Sequence, residues 1–284
     1  MENTMQEMKV TTNGYDFGPA HAAMLTSCAA LLLFEEGRFQ LDDPIEKFIP
    51  QLANRRVMRA GATSLDDTEP AKTSITIRHL MSHSSGLSYG LLDPGTAMFK
   101  AYNERKVLNP ATTLAQMVDV LADLPLVYHP GTSWEYSVAI DVMARLVEIL
   151  SGQAFDQFIQ SRIFGPLGMV DTGFVVPEKS RSRLVAYYAG ADGLDPMKPG
   201  LTRIDDSPYP GAYLRAVPRL NGGGGLVSSL PDMVALIRSL LSGGPMLLKP
   251  DTIALMFTNP TPCGSVDALP YGRRTSWQGL RVGG

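Results

Sequence analysis

The 284-residue sequence predicts an α+β protein in which helices far outnumber strands. Three features carry this. Residues 22–36 (AAMLTSCAALLLFEE) are apolar on nearly every side, a succession of capped stretches has apolar residues at helical spacing, and strand-like runs are few and short.

A helix that is apolar all round belongs inside a protein, and Gly37 is placed to end it as a left-handed C′ residue. Leu41-Asp42-Asp43-Pro44 starts a short helix at 45–48, with Pro44 in a tolerated first-turn position and Pro50 ending it. Residues 53–71 read as an exposed loop. Thr76 caps a helix running to His83 that Gly86 closes, Thr112 or Thr113 caps one running to Leu124, and Ser137 caps residues 138–150, with Gly152 beyond the end. Segments 155–164, 232–241 (capped by Ser229, with Pro231 in the first turn) and 251–257 complete the helices. The strand-like runs are 173–176, 183–188 and 225–228, and there is no repeat or low-complexity tract.

Charge excludes one large class of partner. Lys and Arg number 25 against 28 Asp and Glu, a net charge of −3, so no broad cationic field is available for a phosphate backbone and no nucleic acid is expected. Two cysteines, Cys28 and Cys263, make no disulfide framework and have no zinc spacing. Residues 1–10 lack an export-signal pattern, and the apolar run 29–34 is far shorter than the roughly 20 residues of a membrane span. A cytoplasmic protein without a membrane span is predicted, with no metal and no cofactor.

Five blocks point to a family. They are FEEGRFQLDDPIEKFIP (34–50), ITIRHLMSHSSGLSYG (75–90), PGTSWEYSVAIDVMARLVEILSG (130–152), FGPLGMVDTGF (164–174) and GGGGLVSSLPDM (222–233). In this order they resemble the serine β-lactamase-like superfamily of class C β-lactamases, DD-peptidases (penicillin-binding proteins), and related esterases and acyltransferases. The esterase branch is the nearest. The resemblance implies a β-lactamase/transpeptidase-like fold, a helical region packed on an antiparallel sheet built from both chain ends. It also implies ester or amide acyl transfer through an acyl-enzyme, on a small-molecule substrate.

The family's nucleophile and base are a serine and a lysine spaced SxxK at the start of the central helix. Side chains at i and i+3 share a helical face, so the amine can take the hydroxyl proton. Counting back from Phe34-Glu35-Glu36-Gly37, those positions fall on Ala20 and Ala23, and no serine in the chain has lysine three residues later. The second family element, a phenol in a YSx turn that acts in proton transfer, matches Tyr136-Ser137-Val138. Val138 stands where the β-lactamase form has asparagine, which tilts the implied chemistry towards esters. Ser137, Gly223 and Gly224 are the implied substrate-binding residues. The third element, a late KTG-like triad, has no convincing copy.

Other features have blander readings. Gly86-Leu87-Ser88-Tyr89-Gly90 satisfies GxSxG, but a nucleophile elbow needs a strand before it and a helix after it, whereas here a helix precedes. His79 and His83 stand at i and i+4, as if on one helical face, yet HLMSH lacks the glutamate of HExxH and no third ligand is evident, so packing and loop anchoring are expected. Ser27 and Cys28 lie two turns into the central helix, where burial is expected rather than reactivity. Taken together, these readings predict one β-lactamase-like domain over 1–284, incomplete at both ends, with 1–21 and 258–284 atypical and terminal strands missing. The chain is then a hydrolase by descent whose own activity is lost. The alternative is a non-catalytic homologue or altered gene product with a scaffold or binding role. A reduced sheet would also leave an apolar face uncovered and favour self-association.

Overall fold

The structure, a computed structural model, describes residues 19–91, 94–186, 188–192, 197–203 and 211–258. Helix α1 (Pro19–Glu35) is the predicted central helix, with Leu25, Cys28 to Leu31 and Leu33 almost fully buried. It ends in a Schellman pair: Arg38 N–H donates to the Leu33 carbonyl at 3.0 Å and Gly37 N–H to the Phe34 carbonyl at 2.9 Å, with Gly37 at φ 71°. Two 3₁₀ turns follow, Ile45–Lys47 and Pro50–Leu52. Pro44 precedes the first as its cap residue and does not enter it.

Residues 53–71, expected as a loop, contain an antiparallel hairpin of β1 (Arg56–Met58) and β2 (Thr68–Pro70). Each strand has three residues, too few for alternation to stand out. What fixes β1 is distant in sequence: Met58 N–H donates to the Leu126 carbonyl and Leu126 N–H to the Arg56 carbonyl, both at 2.8 Å, which buries Val57.

Helix α2 (Ile77–Met81) is capped by Thr76, whose Oγ1 accepts from His79 N–H while His79 Nδ1 accepts from Thr76 N–H, each at 3.2 Å. A histidine thus fills the glutamate place of a capping box. The helix stops at Met81, so His79 and His83 do not share a helical face, contrary to the i, i+4 expectation. Gly86, at φ 82°, lies against residue 128, and a Cβ there would meet the Tyr128 carbonyl oxygen at 2.2 Å. Gly86→Ala is therefore expected to cost more than about 1 kcal/mol, read as a lowered thermal midpoint.

Helix α3 (Ala97–Glu104), capped by Thr96, was not anticipated because its eight residues bury only Met98, Ala101 and Tyr102. Helix α4 (Leu114–Ala122) is capped by Thr113 with Gln116 completing the box, and the buried Arg55 guanidinium takes up carbonyls of Leu121, Ala122 and Leu124 at its C-terminal end. Helix α5 (Ala139–Ser151) is the hub, packed on by α1, α2, α4 and α6 (Phe155–Ile159). A π-helical segment Gln160–Phe164 and α7 (Gly165–Leu167) follow. The runs 173–176 and 225–228 meet only as one antiparallel bridge between Gly173 and Val227. Among the described residues of the run 183–188, Tyr188 is in a strand, β3 (Tyr188–Gly190), paired with β4 (Leu201–Arg203).

Helix α8 (Leu230–Ser239) packs on α7, and α9 (Pro250–Met256) follows. Ser229 stands at the N-cap of α8, but its hydroxyl makes no cap bond, while Asp232 accepts from Asp171 N–H at 2.7 Å and Thr172 Oγ1 at 2.8 Å. Leu230, Val234, Ile237 and Leu241 form an exposed apolar stripe along α8 and just beyond its end. The architecture is α+β, a helical body with small antiparallel sheets among the described residues. Most of 1–21 and 258–284 lies outside them.

Candidate active site

The site is built on the turn that leads into α5. Tyr136 is half-buried, its ring 4.9 Å from His83 at 30° and 5.4 Å from Tyr89 at 67°. Trp134 meets the imidazole edge-on at 6.3 Å. Ser137 does not cap α5: Val138 occupies the N-cap without a side-chain bond, and Ser137 Oγ lies 3.1 Å from His83 Nδ1. The backbone sets this outcome, because Ser137 N–H also donates to Nδ1, at 3.2 Å, and turns the side chain towards the histidine.

Ser88, the GxSxG serine, is buried and follows a helix; its Oγ donates to Glu135 Oε1 at 2.7 Å and its N–H to the Tyr102 hydroxyl at 3.1 Å. Its chemistry is that of a tie between the 83–90 loop and the tyrosine turn, not of an exposed nucleophile.

On α5, one turn beyond Ser137, Asp141 is buried beside the glycine loop 222–225. Its Oδ1 accepts from Gly223 N–H at 3.0 Å, Arg219 approaches at 4.0 Å, and the Asn221 amide, with its nitrogen towards the carboxylate, donates as well. From α1, Thr26 Oγ1 donates to the Gly222 carbonyl at 2.7 Å. Gly222 is required for space, since a Cβ there would lie 2.7 Å from both the Ala144 Cβ and the Ile140 carbonyl oxygen. The Gly223 N–H is thus already held by a carboxylate, and Gly224 is buried.

Burial pushes the Asp141 carboxyl up, opposed by the Arg219 charge and the Gly223 N–H. Burial, with Asp141 adding to it, also raises the Tyr136 phenol above its usual range, so Tyr136 is a neutral phenol near pH 7. His83 is lowered from 6.5 to about 4 by burial alone. The folded state therefore binds fewer protons than the unfolded chain between those values, and the neutral imidazole's contribution is full above pH 6.5 and lost as pH falls through about 4. With Tyr136, Trp134, Ser137, Tyr128 and Glu135 around it, His83 is expected to give an acid-side loss of about 3 kcal/mol, read by urea titrations at pH 7 and pH 4 and reduced in His83→Asn.

Ala20 and Ala23 both lie on α1, three residues apart and so on one face. The Ala23 carbonyl accepts from Ser27 Oγ at 2.9 Å, the side chain of residue 20 is outside the described set, and the buried Cys28 thiol is pushed up to about 12. Helix α1 reaches the glycine loop through Thr26, and the loop reaches α5 through Asp141, whose charge acts on Tyr136. Sequence reasoning passed over Thr26, Glu135, Asp141 and Arg219. A lone aspartate on an otherwise apolar helix face, in VAIDVMARLVEIL, was the available signal for Asp141. Among the described residues, no group of three or more His, Cys, Asp or Glu is disposed to hold a metal, and no helix is long and apolar enough to cross a membrane.

A tyrosine turn, a glycine loop and a buried central helix in this arrangement define the serine β-lactamase/transpeptidase-like class. The chain belongs to the beta-lactamase family, which it matches over residues 24–277. It is 35% identical over 239 residues to lovastatin esterase of Penicillium rubens, covering 82% of this chain and 57% of that one. It is 30% identical over 244 residues to monacolin J acid methylbutanoyltransferase of Aspergillus terreus, covering 82% and 54%. EstCE1, described as a hydrolase with promiscuous acyltransferase activity, shares the fold at a TM-score of 0.73 with 23% identity, over 91% of this chain and 67% of that one. The chain thus spans little more than half the length of these two sequence relatives.

Proposed function

We propose that these residues form the acyl-site scaffold of an esterase or acyltransferase that, as this sequence stands, binds a small carboxylic ester or amide without forming an acyl-enzyme. The observation that carries this is the alanine pair: Ala20 and Ala23 offer methyl groups where the family resemblance places serine hydroxyl and lysine amine. What supports the retained half is Tyr136, a neutral phenol in a turn anchored to α5, beside a glycine loop held by Asp141. The names of the two sequence relatives favour ester and acyl-transfer chemistry for the scaffold. Ser88 and Ser27 do not replace the nucleophile in this reading, because Ser88 is buried beneath the tyrosine turn and Ser27 is bound back to its own helix at the Ala23 carbonyl.

Stopped-flow hydrolysis of p-nitrophenyl butyrate tests it: no burst of nitrophenolate is expected, and a burst equal to the enzyme concentration overturns it. The α8 stripe of Leu230, Val234, Ile237 and Leu241 is the apolar surface on which self-association is proposed. Light scattering at high concentration is expected to report species larger than one chain; a sharp monomer contradicts it.

A further inference from the structure

Tyr136 stands between two residues that both hang on His83. Glu135 N–H donates to the His83 carbonyl at 3.0 Å, and Ser137 N–H donates to His83 Nδ1 at 3.2 Å. The imidazole then lies along the Tyr136 ring, 4.9 Å away and 30° from parallel. We infer that His83 is the positioning residue of the tyrosine turn, holding the backbone on either side of Tyr136 and one face of its ring so that the phenol keeps a single orientation.

The chemistry demands an unusual combination of properties at one position. A backbone N–H only donates, so Nδ1 must be the bare nitrogen and Nε2 must carry the hydrogen. A planar ring must at the same time lie against a phenol, and the residue's own carbonyl must face Glu135. His83 meets all three from a left-handed backbone at φ 54°, a region uncommon for residues other than glycine but one that histidine, asparagine and aspartate adopt more readily than the rest. The surroundings hold it there: the Tyr128 hydroxyl donates to the same carbonyl at 3.0 Å, and residue 128 packs against Gly86, the glycine that closes this loop. Glu135 is itself fixed by Ser88 Oγ, so the loop 83–88 grips the turn on both sides of Tyr136, at residues 135 and 137.

This inference rests on Tyr136 as the site's proton-transfer group and is independent of whether a nucleophile is present. The test is fluorine NMR of the full chain labelled with 3-fluorotyrosine, with the Tyr136 line assigned by its loss in Tyr136→Phe. His83→Phe keeps a ring but no acceptor, and it is expected to split or broaden the Tyr136 line while the Tyr188 line in β3 stays in place. His83→Asn places a carbonyl oxygen near the position of Nδ1 and tolerates positive φ but carries no ring, so it is expected to keep one sharp Tyr136 line, displaced by the loss of the ring but not split. A single sharp Tyr136 line in His83→Phe, or a split line in His83→Asn, overturns the assignment. Should His83→Phe not fold, His83→Asn decides alone: one sharp line supports the clamp, and a split one refutes it. Failure of the acylation reading registers separately, as a nitrophenolate burst.

Discussion

Asp141→Ala is expected to lower the unfolding free energy by about 3–5 kcal/mol, a large part of the roughly 5–15 kcal/mol that holds a domain together. The carboxylate is buried on α5 and is met by Arg219, by the Gly223 N–H and by Asn221. Removing it strands a guanidinium that is itself buried, with the Val107 carbonyl and the Met117 sulfur as its other partners and Nε already unpartnered. The cost is that of an uncompensated buried charge, which is much greater than the net value of the pair. Asp141→Asn keeps an acceptor for Gly223 and is expected to lose less. The double variant Asp141→Leu with Arg219→Met removes both charges and is expected to recover most of the loss, so the two single effects will not add. Urea midpoints at constant m give the comparison. A shift below about 1 kcal/mol for Asp141→Ala would mean that the carboxylate is not the link between α5 and the glycine loop.

Turnover is the second large effect. Loss of the nucleophile from a site whose groups act as a unit removes about a million-fold in turnover and leaves only what binding and polar preorganisation supply. Under the non-acylating reading proposed above, Tyr136 does not compensate. A general base accelerates attack only when a hydroxyl lies within about 2.6–3.2 Å or one water, and the position from which the resemblance would supply that hydroxyl is Ala20. Tyr136, raised further above its ordinary value by burial, is a phenol near neutral pH, and under the proposed reading it has no serine at position 20 to deprotonate. Steady-state hydrolysis of p-nitrophenyl esters by this chain is therefore expected to be indistinguishable between the native protein and Tyr136→Phe. A Tyr136→Phe variant slower by tenfold or more would show that a nucleophile is present after all.

The helices were legible wherever the sequence carried its own punctuation. Thr76, Thr113 and Gly37 each marked a terminus within a residue or two, and residues 22–36 announced a buried helix by having no polar face. Strands were less legible, because β1 exists through a pairing with Leu126 and the bridge from Gly173 reaches Val227, neither of which leaves a local pattern. Ser137 shows a different failure. A serine before an apolar run is a good cap by composition, but a histidine 54 positions upstream claims its N–H and hydroxyl first. In the site, family motifs led to Tyr136 and the glycine loop, whereas the groups that hold them, Thr26, Asp141, Arg219 and His83, act through contacts spanning tens to hundreds of residues. Of these, Asp141 left a trace as the polar residue on an apolar helix face, and His83, within a family block, was expected to anchor a loop.

Intact-protein mass spectrometry after incubation with an alkyl fluorophosphonate tests the central claim most directly. A chain that keeps the tyrosine turn and the glycine loop but has alanine at positions 20 and 23 is predicted to emerge with its mass unchanged. A stoichiometric adduct would contradict the account, and the labelled residue would say how. A label on Ser88 would mean that its bond to Glu135 opens to free a nucleophile, and one on Ser27 would place the register of α1 a turn or more away from the alanine pair.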